Sequence, residues 1–126
     1  MHRSQLAGLI IDCETDDLDS AANFWSAALG FPRGRPAQEC DSIYVELKAP
    51  DGQPYVEVQK VDHESRIHLD IEADDLEAEA GRLETLGARR VANIKSWIVM
   101  EAPTGQRFCI VRPVSKNFSV TANRWE

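Results

Sequence analysis

The feature that most limits how this chain can fold is a repeat inside it. Asp12-Cys13-Glu14-Thr15-Asp16-Asp17-Leu18-Asp19 returns 58 residues later as Asp70-Ile71-Glu72-Ala73-Asp74-Asp75-Leu76-Glu77. Both copies run into an alanine-rich helical pattern, and both stop at Leu-Gly, as Leu29-Gly30 and as Leu86-Gly87. A second match follows in the same order: Ala49-Pro50-Asp51-Gly52-Gln53 is answered 53 residues on by Ala102-Pro103-Thr104-Gly105-Gln106. Each of these turns leads into an apolar, strand-like segment. Two matches in one order imply two copies of a single supersecondary unit. At 126 residues the whole fits within one domain.

The local pattern gives each copy the same plan. Leu6–Cys13 alternates as a strand, with Leu9 and Ile11 on one face and Gly8 and Ile10 on the other. Asp16 or Asp17 then caps a helix over about 18–29, where Leu18, Ala21, Ala22, Trp25 and Leu29 form one stripe. Gly30 ends that helix and Pro32 prevents its continuation. Strands are expected at Ser42–Leu47 and Tyr55–Gln59, with a weak edge strand within 31–41. In the second copy Ile67, Leu69 and Ile71 share one strand face, and His68, Asp70 and Glu72 share the other. A helix over about 76–86 turns Leu76, Ala80 and Leu83 inward and is stopped by Gly87; strands follow at 88–92, 97–100 and 107–112. Residues 1–5 are expected to be loose. The tail, 114–126, has no counterpart in the first half, yet Phe118, Val120 and Trp125 make it apolar enough to dock on its own domain or on a second subunit.

The expected class is therefore α+β: two tandem βαβββ modules, 6–61 and 66–113, forming a curved mixed sheet around a cleft, with helices on the outer face. A cleft of this kind is a favoured small-molecule site. The net charge of −7 comes without any basic stripe, which argues against nucleic acid and anionic membranes. The apolar run Leu6–Ile11 is too short to span a bilayer or to form a signal h-region. Three cysteines, Cys13, Cys40 and Cys109, without a C-x-x-C spacing fit a reducing, cytoplasmic setting. Cys13 and Cys40 read as incidental. The pairs Asp16-Asp17 and Asp74-Asp75 read as helix caps, since no EF-hand spacing surrounds them.

Paired βαβββ modules carrying Asn23-Phe24-Trp25, Ala28-Leu29-Gly30, Arg66-Ile67-His68-Leu69-Asp70, Leu86-Gly87-Ala88-Arg89-Arg90-Val91, Val99-Met100 and Phe108-Cys109-Ile110-Val111-Arg112-Pro113 resemble the vicinal oxygen chelate superfamily. That group includes glyoxalase I, bleomycin-resistance proteins and extradiol dioxygenases. The wording is closest to bacterial glyoxalase-like domain proteins. The resemblance implies metal ligands at matching places in the two modules, on the first and last strands. Those places hold Ile10 and His68 on the first strands, and Glu57 and Cys109 on the last. His68, Glu57 and Cys109 are thus the expected metal ligands, and Ile10 cannot ligate.

The resemblance further implies a divalent ion (zinc, nickel, manganese or iron), or none, and a small-molecule ligand. Glu57 and His68 are the expected catalytic pair, as an oxygen ligand and a base. Tyr44, Tyr55, Gln59, Asp70 and Trp97 are the expected ligand-binding residues; Tyr44 and Trp97 stand 53 residues apart and form aromatic walls. Two functions follow. One is a metal-dependent lyase, isomerase or dioxygenase. The other is a metal-free, antibiotic-type binding or resistance protein without catalysis. A homodimer is expected from exposed strand edges and the apolar tail.

Overall fold

The computed structural model describes residues 1–39 and 42–126; Cys40 lies outside the described residues. The elements in chain order are β1 (His2–Glu14), α1 (Leu18–Leu29), β2 (Arg33–Glu39), β3 (Ser42–Leu47), β4 (Tyr55–Val61), β5 (Arg66–Ala73), α2 (Leu76–Thr85), β6 (Arg89–Ile94), β7 (Trp97–Glu101), β8 (Arg107–Val111), α3 (Phe118–Thr121) and β9 (Asn123–Trp125). The class is α+β, and the expected strand–helix–three-strand plan appears twice. The chain divides into two compact units, one of Gly8–Ile67 and one of Met1–Ala7 with His68–Glu126.

In the unit Gly8–Ile67, β1 pairs parallel with β4, β4 antiparallel with β3, and β3 antiparallel with β2. Asp17 caps α1 by accepting from the Ser20 amide at 3.1 Å. Gly30 closes it in the left-handed region at φ 73°, donating its N–H to the Ser26 carbonyl. The helix buries Ala22 completely, and Leu18, Ala21 and Trp25 join a core of Ile11, Val45, Leu47, Val56 and Val58. Leu29 departs from the expected stripe. It is exposed.

The second unit repeats this arrangement. β5 pairs parallel with β8, β8 antiparallel with β7, and β7 antiparallel with β6. Asp75 caps α2 by accepting from the Ala78 amide at 3.0 Å. Ala80 is fully buried at the place where α1 has Ala22, so both helices approach their strands through an alanine. Leu76 and Leu83 join a core of Ala73, Ile98, Met100, Phe108 and Ile110. On β5 Ile67 and Leu69 are exposed, whereas Asp70 and Glu72 are buried.

The N-terminal residues differ from expectation. Residues 2–5 are strand, not loose chain, because β9 supplies an antiparallel partner: His2 faces Trp125 and Ser4 faces Asn123. The tail therefore docks on its own unit. Phe118 is buried, Trp125 donates its indole N–H to Ser4 Oγ at 2.8 Å, and the Arg82 guanidinium lies 3.8 Å above the Trp125 ring. Under this contact Glu79, fully buried on α2, accepts from Arg82 at 2.8 and 2.9 Å and meets His2 Nε2 at 2.8 Å. Burial pushes the Glu79 carboxyl up, but hydrogen bonds from Arg82, His2 and Ser4 outweigh it and hold it below the usual carboxylate range.

Candidate metal centre

β5 places alternate side chains on one face, so His68, Asp70 and Glu72 project together. The parallel register of β5 with β8 sets Asp70 directly opposite Cys109. One strand thus supplies an imidazole and a carboxylate two residues apart, and its neighbour supplies a thiol beside them. His68 Nε2 lies 3.7 Å from Asp70 Oδ1. The donor atoms of His68, Asp70 and Cys109 all lie within 4.8 Å of one another. Donors around a tetrahedral zinc ion, bonded at roughly 2.0–2.3 Å, sit about 3.3–3.8 Å apart. The three groups need little movement to enclose such an ion. Asp70 is buried, and His68 and Cys109 are partly so.

The same face continues onto β7. Val99 lies opposite Cys109, and Trp97 shares the face of Val99 one pleat further on. Trp97 is half-buried, which leaves indole surface for a ligand.

At the other end of the face, Glu72 is fully buried and saturated. It accepts from Gln5 Nε2 at 2.8 Å, from the Val114 amide at 2.8 Å, from the Ser115 amide at 3.0 Å, and from Ser115 Oγ. Burial pushes its carboxyl up, but the hydrogen bonds from Ser115, Val114 and Gln5 outweigh that and hold it below the usual range. Glu72 is therefore an anchor for the tail, not a fourth donor. The repeat hints at this role, since its first copy, Glu14, is exposed and has no tail to hold.

The remaining expected site residues lie in the unit Gly8–Ile67. Glu57 stands on β4 opposite Ile10 on one side and Glu46 on the other, and it is not one of the three clustered donors. Tyr44 and Gln59 face each other across β3 and β4. Tyr55 packs its ring on Gly8, where an added Cβ would come within 2.3 Å of the ring carbons, so only glycine fits beneath it. A cavity of about 590 Å³ in this unit is lined by Glu14, Asp16, Lys60, Asp62 and His63 among others, and by none of the three donors.

Strand register corrects one equivalence drawn from the repeat. Asp12 faces Gln59 as Asp70 faces Cys109, so the counterpart of Cys109 is Gln59 rather than Glu57. The residues between Asp12 and the end of β4 outnumber those between Asp70 and the end of β8, and a fixed sequence offset cannot absorb the difference.

Residues 8–111 match the glyoxalase-like domain family. No curated protein matches the sequence. Among solved structures, methylmalonyl-CoA epimerase from Mycobacterium tuberculosis is 19% identical at a TM-score of 0.66, covering 91% of each chain. A Streptomyces coelicolor methylmalonyl-CoA epimerase variant, in complex with 2-nitronate-propionyl-CoA, is 16% identical at a TM-score of 0.67, covering 88% of this chain and 98% of that one. A hypothetical protein from Bacillus halodurans is 10% identical at 0.69, covering 90% and 96%. At these identities the likeness is one of fold, and it is the fold of the vicinal oxygen chelate superfamily. With more than four-fifths of its length matched and the βαβββ plan present twice, the chain belongs to the glyoxalase-like domain family.

Proposed function

We propose that the protein binds a small molecule with adjacent oxygen atoms on the β5–β8–β7 face, beside a divalent ion held by His68, Asp70 and Cys109, and acts on it as a lyase, isomerase or dioxygenase. One observation carries this reading: three different donor atoms lie within 4.8 Å on neighbouring strands. Three protein donors leave at least one coordination position open, as in catalytic rather than structural zinc sites. When bound, the ion would polarise a substrate oxygen and stabilise negative charge developing there.

The chain's own residues supply the rest. Trp97 walls the site with an apolar face, and Glu72 keeps the tail seated beside it. Within the unit Gly8–Ile67, Glu57 stands as a candidate catalytic carboxylate, and Tyr44, Tyr55 and Gln59 stand as candidate ligand contacts of that unit. Asp70 takes a place in the metal set rather than in ligand binding alone, because its oxygen and the Cys109 sulfur share one register position.

Partners and setting follow the same reading. Exposed Ile67 and Leu69 on β5 provide apolar surface for a homodimer. Among the described residues no helix is long and apolar enough to cross a membrane. Cys13 is a free thiol, which suits a reducing cytoplasm.

The metal-free binding protein remains the competing reading, favoured by the apolar Ile10 at the counterpart of His68. Thermal shift with acetohydroxamic acid, a two-oxygen chelating probe, separates the two. The proposal expects stabilisation of the zinc-loaded protein that disappears with EDTA and weakens in Trp97→Ala. Stabilisation that EDTA leaves unchanged would overturn the metal-dependent reading and support binding without metal.

A further inference from the structure

We infer that the site is redox-gated: a hydroperoxide that oxidises Cys109 expels the bound ion, and a thiol reductant restores the site. This rests on the metal reading above and concerns its regulation. His68 and Asp70 offer nitrogen and oxygen, which peroxide does not attack under mild conditions. Cys109 offers sulfur, and a thiolate is both the strongest zinc donor of the three and the oxidisable one.

The register makes Cys109 indispensable. β5 contributes two donors from one edge, and Cys109 alone closes the set from β8. Remove it as a donor and the ion keeps two protein ligands. Cys109 is also only partly buried, so a molecule as small as hydrogen peroxide can reach the sulfur. In the step itself the thiolate sulfur attacks one peroxide oxygen. An S–O bond forms, the O–O bond breaks, and hydroxide leaves. Sulfur is oxidised by two electrons to a sulfenic acid and the peroxide is reduced. The neutral sulfenic sulfur is a poor zinc donor, and reduction by an added thiol returns the thiolate.

Cys13 is likewise partly buried, but burial and the neighbouring Asp12 carboxylate raise its pKa, keeping it a thiol. Cys13 also has no part in the cluster of donors.

The test uses the full chain loaded with zinc, in a Cys13→Ser/Cys40→Ser background, with a chromogenic chelator to read zinc release and peptide mass spectrometry to read oxidation. Hydrogen peroxide is expected to release zinc in step with oxygen addition to the Cys109 peptide, and dithiothreitol is expected to restore zinc uptake. Cys109→Asp, which keeps a three-donor set, is expected to bind a divalent ion that peroxide does not release. Zinc retained while Cys109 is oxidised would overturn the inference and leave the metal site standing. So would release without modification of Cys109, or equal release from Cys109→Asp. A wild-type chain that takes up no zinc before peroxide is added would overturn the metal reading together with this one.

Discussion

The two modules share a plan and differ in what fills it. Ile10, Asp12 and Gln59 in the first occupy the register positions that His68, Asp70 and Cys109 occupy in the second. Each module buries an aspartate at the same place on its parallel strand pair, and each aspartate has a basic neighbour. For Asp12 it is the Arg66 guanidinium at 3.8 Å; for Asp70 it is the His68 imidazole at 3.7 Å. An arginine beside a carboxylate makes an ion pair and nothing more, since guanidinium has no lone pair for a metal. An imidazole beside a carboxylate makes a ligand pair, and a thiol opposite completes a set. Two of the three side chains differ, Ile10 against His68 and Gln59 against Cys109, while the aspartate is kept. The fold alone does not assign chemistry.

The comparison predicts symmetry in the cores and asymmetry elsewhere. Leu47 in the first core and Met100 in the second are both essentially inaccessible to solvent. Truncating either to alanine is expected to cost about 2–5 kcal/mol in chemical denaturation, since a cavity is left as well as the lost burial. A large loss in one and none in the other would mean that the two cores are not equivalent.

The tail anchor belongs to one module alone. Glu72→Ala is expected to cost roughly 1–3 kcal/mol, because the hydrogen bonds that the Val114 and Ser115 amides make to a fully buried carboxylate are lost. Glu14→Ala, at the exposed counterpart, is expected to leave stability unchanged. Equal effects would break the comparison.

The same anchor sets a pH dependence. Glu72 and Glu79 have carboxyls held below their ordinary value of 4.5 in the folded chain. Each therefore binds a proton less readily when folded than when unfolded, and the stability it contributes is fully present above the unfolded value. That stability is lost as pH falls through the folded value. Trp125 fluorescence, followed in a Trp25→Phe/Trp97→Phe chain, is expected to report tail release only on acidification below about 4.5. Release on raising the pH from neutral would contradict this sign.

The smallest effects are at the helix caps. Asp17→Ala and Asp75→Ala each remove one backbone cap hydrogen bond, and Asp17→Ala also removes the bond from Ser20 Oγ, so small decreases in thermal midpoint are expected, the larger for Asp17→Ala.

The repeat made much of this legible. Both capping aspartates, both glycine stops and the buried alanines follow from local patterns, because capping and helical stripes depend on residues within a few positions of one another. What local pattern could not supply was pairing across distance. Residues 2–5 form a strand only because Asn123–Trp125 lies beside them, and nothing near His2 announces that partner. The metal set was half visible for the same reason. His68 and Asp70 share a strand face by simple alternation, but that Cys109 falls opposite Asp70 is decided by a register between strands 39 residues apart in sequence. The family resemblance matched Cys109 with Glu57, two residues from the counterpart that strand register gives, Gln59. Alternation assigned the two faces of β5 but not which is buried: Ile67 and Leu69 are exposed, and Asp70 and Glu72 are buried.

The central claim is that the second module, through Cys109 and not through the first module's Gln59, completes a metal site. Its most direct test is the metal content of zinc-reconstituted, tag-free protein for wild type, Cys109→Ala and Gln59→Ala. About one zinc per chain is expected in wild type and Gln59→Ala. Affinity in Cys109→Ala should fall by more than the roughly 10–100-fold that loss of an outer-shell partner costs. Zinc held as tightly by Cys109→Ala as by wild type, or lost only in Gln59→Ala, would contradict the account.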